Sequence, residues 1–181
     1  NNVFQNLIPL YGIFMALDQD TLQQLLEMVS RFVERRLRPV EEWVAEEDSI
    51  PADIVQEMRA LGLFGLSIPE AYGGLGLSMS EEAQVAFRLG GTSPAFRSLL
   101  GTNNGIGSQG IIIDGTEEQK QTWLPLLASG EVIASFCLTE PEAGSDAGSL
   151  RTTARRDGGD FLISGTKRFI TNADLASVLT V

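Results

Sequence analysis

The sequence predicts an α+β fold in which an all-α helical domain is followed by the first strands of an antiparallel β-domain. Two observations predict this fold. Residues 18–130 repeat apolar side chains at helical spacing and contain two helix-capping boxes. Residues 131–181 instead contain short β-branched runs separated by turn residues. The predicted organisation is an N-terminal extension (1–17), a helical domain (18–130) and a partial β-domain (131–181).

Two helices are predicted at the start of the helical domain from their caps and stops. The first has Asp20 as its N-cap and stops at Pro39, whose ring does not fit a helix interior. The second starts at Pro51 and ends at Gly62, because glycine readily adopts the left-handed conformation that follows a helix.

Two capping boxes predict further helices. Residues 78–81 open a helix that ends near Leu89, and residues 116–119 open one that ends near Ala128. Residues 94–113 lie between them and are rich in Gly, Ser and Asn, although they are apolar overall. Small side chains in such a segment predict a buried helix with close neighbours.

After Gly130 the apolar period changes from helical to strand-like. The predicted strands are 131–138, 150–156, 161–164, 167–171 and 176–181. Residues 157–160, Asp-Gly-Gly-Asp, predict a hairpin turn between the second and third of these strands. The last strand stops at Val181, where an antiparallel sheet would keep unpaired edges. We therefore expect the chain to be a fragment of a longer protein.

Composition excludes several classes of function. The net charge is −11, from 24 acidic and 13 basic residues, which argues against nucleic-acid binding because that depends on clustered Lys and Arg. The chain has no His and one Cys, so it has no internal disulfide, no Ser-His-Asp triad and no His-based metal site. Cys137 lies in an apolar run and is interpreted as a buried structural thiol.

The N-terminal residues 7–17 are apolar but too short for a transmembrane helix, which needs about 20 apolar residues. They lack the basic flank of a signal peptide, and Pro9 and Gly12 make them a poor helix. We interpret this segment as one that packs on a partner surface. The expected protein is soluble and cytoplasmic, with no membrane span.

Two segments of the β region have the character of a ligand site. Residues 139–146 follow a strand directly, and there Gly144 allows close backbone approach while Ser145 and backbone N–H groups can form an anion-binding concavity. Phe169 and Thr171 would share one strand face, which suits a flat heteroaromatic ring. The alternatives are an ordinary turn for the first segment and a core Phe beside a surface Thr for the second.

Together these segments resemble the acyl-CoA dehydrogenases. Residues 138–146, Leu-Thr-Glu-Pro-Glu-Ala-Gly-Ser-Asp, look like the first signature of that family. Residues 169–172, Phe-Ile-Thr-Asn, look like its flavin-contacting strand, which usually begins with Trp. The glycine loop 69–76 and residues 115–125 also resemble segments of that family's helical domain.

The resemblance implies a three-part enzyme in which FAD lies against the middle β-domain and a C-terminal helical bundle, absent from this chain, follows. It places Thr171 near the flavin N5 and Ser145 also near the CoA arm of the substrate. The residues that it implies for the flavin site are Phe136, Leu138, Thr139, Gly144, Ser145, Phe169 and Thr171.

The implied reaction is the α,β-dehydrogenation of an acyl-CoA thioester to an enoyl-CoA, in fatty-acid or amino-acid breakdown. An electron-transferring flavoprotein is the implied acceptor, and a homo-oligomer (dimer or tetramer) is the implied assembly. The family's catalytic base comes from the missing bundle, so no catalytic residue is expected here, and Glu140 and Glu142 are rejected as substitutes. Glu140 is instead a structural element of its loop.

Three questions stay open in the sequence. Arg97 is a faint hint of an acidic acyl group, as in glutaryl-CoA relatives, against the alternative of a surface or helix-capping Arg. An acyl-CoA oxidase, or another flavin enzyme of the superfamily, would carry the same motifs. A non-catalytic assembly fragment is the alternative from another class, and its last strand, 176–181, would need a partner chain.

Overall fold

The computed structural model describes residues 17–181, so the interpretation of residues 7–17 as a partner-packing segment lies outside the described part except at Leu17. Within the described residues the helices are α1 (Gln19–Phe32), α2 (Glu41–Glu47), α3 (Ala52–Ala60), α4 (Met79–Leu89), α5 (Pro94–Thr102), α6 (Ser108–Asp114) and α7 (Glu117–Ser129). The strands are β1 (Ala134–Phe136), β2 (Thr153–Asp157), β3 (Asp160–Ser164) and β4 (Val178–Thr180). A helical domain followed by strands, the predicted fold class, is confirmed.

The first predicted helix differs from the structure at both ends. Asp18 is the N-cap instead of Asp20, and its carboxylate accepts a hydrogen bond from the backbone N–H of Thr21 at 2.9 Å. The helical backbone does not end at Pro39. A π-helical turn follows α1, and a 3-10 turn that contains Pro39 then leads into α2. Proline is tolerated there because it lies at the start of a new turn, where no N–H is required.

The remaining predicted helix ends are confirmed. Gly62 follows α3 with φ +71°, and Gly130 follows α7 with φ +72°. The capping boxes at Ser78 and Thr116 are both formed. These signals are local in sequence, which is why each could be predicted without knowledge of the tertiary fold.

The helices enclose one large apolar core. Its largest fully buried side chains include Val29, Leu37, Ile54, Met58, Phe64, Val85, Phe96 and Leu100. A second, smaller cluster lies where α7 meets β1 and contains Leu124, Leu127 and Ala134. Cys137 is buried just beyond β1, as predicted. Each fully buried large apolar side chain contributes about 1.5–3 kcal/mol, so the helical domain has a substantial interior of its own.

The strands form two separate pairs. β2 and β3 form the predicted antiparallel hairpin, with Asp157 opposite Asp160 and Gly158 at φ +64°. β1 and β4 pair in parallel, whereas the sequence predicted antiparallel strands throughout. The connection between β1 and β4 is about 40 residues long, which is long enough for a parallel crossover.

Residues 167–171 are not a strand, and that prediction is wrong. Phe169 has φ +58° and Asn172 has φ +64°, and these left-handed conformations interrupt an extended chain. A turn over residues 171–175 follows. The alternating pattern that predicted a strand therefore belongs to an irregular segment, so Phe169 and Thr171 do not share a strand face.

Candidate functional site

The two segments that the sequence analysis selected lie side by side just after β1. The backbone N–H of Arg168 donates a hydrogen bond to the carbonyl oxygen of Thr139 at 2.9 Å. The Lys167 ammonium donates to the carbonyl oxygen of Leu138 at 3.0 Å. The hydroxyl of Ser135 in β1 donates a hydrogen bond to the carbonyl oxygen of Thr171 in the second segment. Residues about thirty positions apart in the chain therefore form one surface.

Glu140 joins these segments to the chain that leads into β2. Its buried carboxylate accepts hydrogen bonds from the backbone N–H groups of Arg151 at 2.6 Å and Thr152 at 2.9 Å, and from the Thr152 hydroxyl. It also pairs with the Lys167 ammonium at 3.0 Å. Each of these donors stabilises the ionised carboxylate.

The hydrogen bond from the Thr152 hydroxyl is the largest cause that lowers the pKa of Glu140 to about 2, followed by the bond from the Arg151 N–H. Such a carboxylate stays ionised at neutral pH and has little tendency to accept a proton. These contacts support the structural role that was expected for Glu140. Glu142 lies next to it and is exposed.

Gly144 and Ser145 lie on an exposed loop. The loop begins with a tight turn, in which the backbone of Glu140 and the backbone of Ala143 exchange two hydrogen bonds, of 2.9 and 3.2 Å. A Cβ added at Gly144 would contact nothing within 4 Å, and its φ is not in the left-handed region. The space beside Gly144 is therefore open to a ligand.

Phe169 is unusual in both its backbone and its side chain. It is 80% exposed and held at φ +58°, a conformation that costs a residue with a side chain about 1–3 kcal/mol. The Arg168 guanidinium lies 4.5 Å from the centre of its ring. Non-glycine residues held in this left-handed conformation cluster at functional sites, so Phe169 is a candidate for contact with a ligand.

A cavity of about 630 Å³ opens beside Thr171. Residues of α5, among them Ala95 and Ser98, form one wall, and the loop between α2 and α3 forms another. Thr171 and Asn172 line a third side. This volume is in the range of pockets that take organic ligands, so the second segment borders a space where a ligand could bind.

Arg97 lies on α5 but does not line this cavity. Its guanidinium lies over Gly101, where an added Cβ would be 2.9 Å from the guanidinium carbon. It lines a small cleft together with Glu82 of α4. Burial raises the pKa of the Glu82 carboxyl, and the charge of Arg97 opposes this rise. The structure therefore places Arg97 beside an acidic side chain and away from the two segments.

Two buried amides, those of Asn103 and Asn104, were not predicted from the sequence. The predicted buried helix at 94–113 consists of α5 and α6 joined by a π-helical turn, Asn103–Gly107, and both Asn side chains on this turn are 0% exposed. Two consecutive Asn residues inside an apolar helical run were the available signal, because Asn is unfavourable in a helix interior unless its amide finds partners.

Two stretches of the chain match models of one protein family. Residues 19–131 match the model of the acyl-CoA dehydrogenase N-terminal domain, and residues 135–181 match that of the acyl-CoA dehydrogenase middle domain. The fold is thus of the acyl-CoA dehydrogenase class, with residues that match its N-terminal and middle domains. The chain belongs to the acyl-CoA dehydrogenase family.

Two similar proteins have names that specify substrates. The (2S)-methylsuccinyl-CoA dehydrogenase of Cereibacter sphaeroides is 39% identical over 167 residues, which are 92% of this chain and 30% of that protein. An acyl-CoA dehydrogenase of Bacillus subtilis is 38% identical over 152 residues, which are 84% of this chain and 40% of that protein. The chain thus spans well under half the length of these relatives.

Two solved structures have a similar fold, and one of them is a glutaryl-CoA dehydrogenase by name. The glutaryl-CoA dehydrogenase of Mycobacterium smegmatis in complex with FADH2 has a TM-score of 0.82 at 39% identity, covering 91% of this chain and 42% of that chain. An electron transferring flavoprotein structure of Acidaminococcus fermentans has a TM-score of 0.84 at 32% identity, covering 92% of this chain and 44% of that chain. Among residues 17–181, no helix is long and apolar enough to cross a membrane.

Proposed function

We propose that this chain supplies the helical domain and part of the flavin site of an enzyme that dehydrogenates acyl-CoA thioesters. The observation that carries the proposal is the hydrogen bond from Arg168 to Thr139, because it joins the two family segments into one surface. The residues proposed to hold FAD are Phe136, Leu138, Thr139, Gly144, Ser145, Phe169 and Thr171.

Three features of this surface fit a flavin nucleotide. Phe169 offers an exposed flat ring for packing. The open space at Gly144 and the exposed Ser145 hydroxyl suit an approaching phosphate group, which needs donors and room. Thr171 borders the cavity and is exposed, so its hydroxyl is proposed to donate a hydrogen bond to the edge of the ring. Similar solved structures contain FAD or FADH2 by name, which supports the same cofactor.

When bound, FAD supplies the two-electron acceptor for the reaction. The residues of this chain bind, orient and shield the reacting groups. Phe169 keeps a flat apolar surface where the family usually has Trp, although it lacks the indole N–H. Glu140 does not serve as the base, because its carboxylate is already engaged by four donors and its pKa is about 2. The base is proposed to come from the part of the complete protein outside this chain.

The cavity beside Thr171 is the proposed acyl compartment, because it adjoins the proposed flavin position and α5 provides its wall. A second candidate is an enzyme for acidic acyl groups that uses Arg97. Two similar proteins act, by name, on methylsuccinyl-CoA and glutaryl-CoA, whose acyl groups carry a second carboxylate. Against this candidate, Arg97 already faces the Glu82 carboxyl in a separate cleft.

The complete protein is further proposed to be a cytoplasmic homo-oligomer, a dimer or tetramer, that passes electrons to an electron-transferring flavoprotein in fatty-acid or amino-acid breakdown. An acyl-CoA oxidase would have the same site with oxygen as the acceptor. A non-catalytic assembly role would leave the open surface at Gly144 and Phe169 without a ligand.

Purification of the full-length protein tests the proposal. We expect visible flavin absorption that is bleached anaerobically by acyl-CoA and restored by an electron-transferring flavoprotein or a dye. Bleaching with rapid reoxidation by air and release of peroxide would identify an oxidase. A colourless protein that takes up no added FAD would contradict the proposal and favour the assembly role.

A further inference from the structure

One buried side chain, Asn103, anchors the start of β1 to the helical domain. Its Oδ1 accepts a hydrogen bond from the backbone N–H of Ala134 at 2.9 Å. Its Nδ2 donates to the carbonyl oxygens of Phe64 and Leu127, both at 3.1 Å. The amide oxygen and the amide nitrogen of Asn103 therefore connect β1 with α7 and with the turn that contains Phe64.

The contact between β1 and the π-helical turn is also sterically tight. A Cβ added at Gly107 would lie 2.8 Å from the Cβ of Ala134 and 2.7 Å from the carbonyl oxygen of Thr102. No spare room exists at this contact. Hydrogen bonding and close packing thus fix the position of β1 together.

A second amide, that of Asn172, anchors the segment around Thr171 to α5. The Nδ2 of Asn172 donates a hydrogen bond to the carbonyl oxygen of Leu99 at 3.1 Å. Leu99 lies four residues, or about one helical turn, before Asn103. Both anchors are therefore attached to the C-terminal end of α5.

Thr171 lies between these two anchors. The Ser135 hydroxyl, in β1, donates a hydrogen bond to the Thr171 carbonyl oxygen, and the next residue is Asn172. Asn103 thus holds Thr171 through β1, while Asn172 holds it directly to α5. Because α5 also forms a wall of the cavity that Thr171 borders, the two amides connect two sides of this cavity.

We propose that Asn103 and Asn172 are positioning residues that form an amide latch between α5 and Thr171. This inference rests on the proposed function, in which Thr171 contacts the flavin and the cavity takes the acyl group. The latch then fixes the flavin edge relative to the acyl group. Reaction requires the reacting atoms to lie about 3–3.5 Å apart, and a displacement of about 1 Å can slow it about 100-fold.

Asn104 provides a matched control. It is as buried as Asn103, and its Nδ2 also donates to two carbonyl oxygens, those of Leu63 at 2.8 Å and Leu100 at 3.1 Å. Its Oδ1 accepts from the backbone N–H of Ser67. All of these partners belong to the helical domain, so the loss of the Asn104 amide should lower stability without moving β1.

The test compares Asn103→Ala, Asn104→Ala and Asn172→Asp in the full-length, flavin-loaded protein. Asp tolerates the left-handed backbone at position 172, but its ionised carboxylate cannot donate to Leu99. We expect Asn103→Ala and Asn172→Asp to slow anaerobic flavin reduction at saturating acyl-CoA by about 10-fold or more. Both should also shift the visible circular dichroism of the flavin, whereas Asn104→Ala should change only the melting temperature.

Two results would overturn the latch. One is flavin reduction at the wild-type rate in Asn172→Asp, and the other is equal slowing by Asn103→Ala and Asn104→Ala. If Asn103→Ala does not fold, the rate of Asn172→Asp relative to wild type tests the latch alone. This variant should fold, because the half-buried Asn172 side chain lies on a surface turn. A wild-type protein that no acyl-CoA reduces contradicts the proposed function instead, so the two failures are distinguishable.

Discussion

The helical domain and the β region of this chain are stabilised by different kinds of contact. In the helical domain, large side chains such as Phe64 and Met58 are fully buried. In the β2–β3 hairpin every residue is exposed, and Phe161 is 58% exposed. The segments proposed to bind FAD depend mostly on single hydrogen bonds and on the ion pair of the buried Glu140 with the partly exposed Lys167.

This difference shows how a precise site can be built beside a conventional core. Burial of apolar side chains is non-directional and makes the helical domain rigid. Hydrogen bonds are directional, with a net value of about 0.5–1.5 kcal/mol each, so they determine geometry more than stability. We therefore expect changes in the helical core to affect unfolding and changes in the β region to affect ligand binding and reaction.

The largest expected effect comes from the helical core. Phe64→Ala should lower the free energy of unfolding by about 3–5 kcal/mol, because a fully buried ring is replaced by a cavity. The matched change in the β region, Phe161→Ala, should alter it by no more than about 0.5 kcal/mol. Urea denaturation of both variants measures this contrast, and equal losses would show that the hairpin is as well packed as the core.

The second effect concerns the response of the β region to acid. The pKa of Glu140 is lowered from 4.5 to about 2 in the folded protein, so its carboxylate stabilises the fold above pH 4.5 and loses this effect as the pH falls towards 2. The protection of the Arg151 and Thr152 amides, measured as their exchange rate relative to the intrinsic rate at each pH, should therefore fall over this interval in the wild type.

Glu140→Gln removes the titrating group and Glu142→Gln is its exposed neighbour control. The Glu140 variant should show lower protection of these amides at neutral pH and no further loss of protection between pH 4.5 and 2, whereas the Glu142 variant should follow the wild type. Identical pH profiles for all three proteins would mean that Glu140 does not hold the loop.

The smallest expected effect is the loss of one hydrogen bond at Thr171. In Thr171→Ala the flavin should stay bound, and its reduction by acyl-CoA should slow about 2- to 10-fold, equivalent to about 0.5–1.5 kcal/mol. The exposed Thr166 provides the control, and Thr166→Ala should leave the rate unchanged. Stopped-flow reduction measures both variants, and an unchanged rate in Thr171→Ala would remove Thr171 from the proposed flavin contacts.

Local signals predicted much of the helical domain and little of the β pairing. The glycine after α3 and the capping box before α4 act within a few residues, so Gly62 and Ser78 could be assigned from sequence. The parallel pairing of β1 with β4 depends on residues about 40 positions apart. No local pattern specifies such a pairing, so its direction was predicted wrongly.

The candidate site shows the same division. Both of its segments could be selected from their residue types, but the contacts that join them could not. The left-handed backbone at Phe169 contradicts its alternating pattern, because tertiary contacts override local preference there. The pair of Asn residues at 103 and 104 indicates buried amides with partners, but the sequence does not reveal which partner each amide has, and Ala134 lies 31 residues from Asn103.

The open surface at Gly144 is proposed to be a flavin site and not merely a loop. Gly144 and Gly159 form a matched pair, since both are exposed, neither has a left-handed φ, and an added Cβ would contact nothing within 4 Å at either position. Gly159 lies at the tip of the β2–β3 hairpin, outside the proposed site. The decisive measurement is the flavin content per chain of full-length Gly144→Val and Gly159→Val after purification. We predict that Gly144→Val is folded but poor in flavin and that Gly159→Val retains the wild-type content. Full flavin occupancy in Gly144→Val would show that this loop does not bind the flavin.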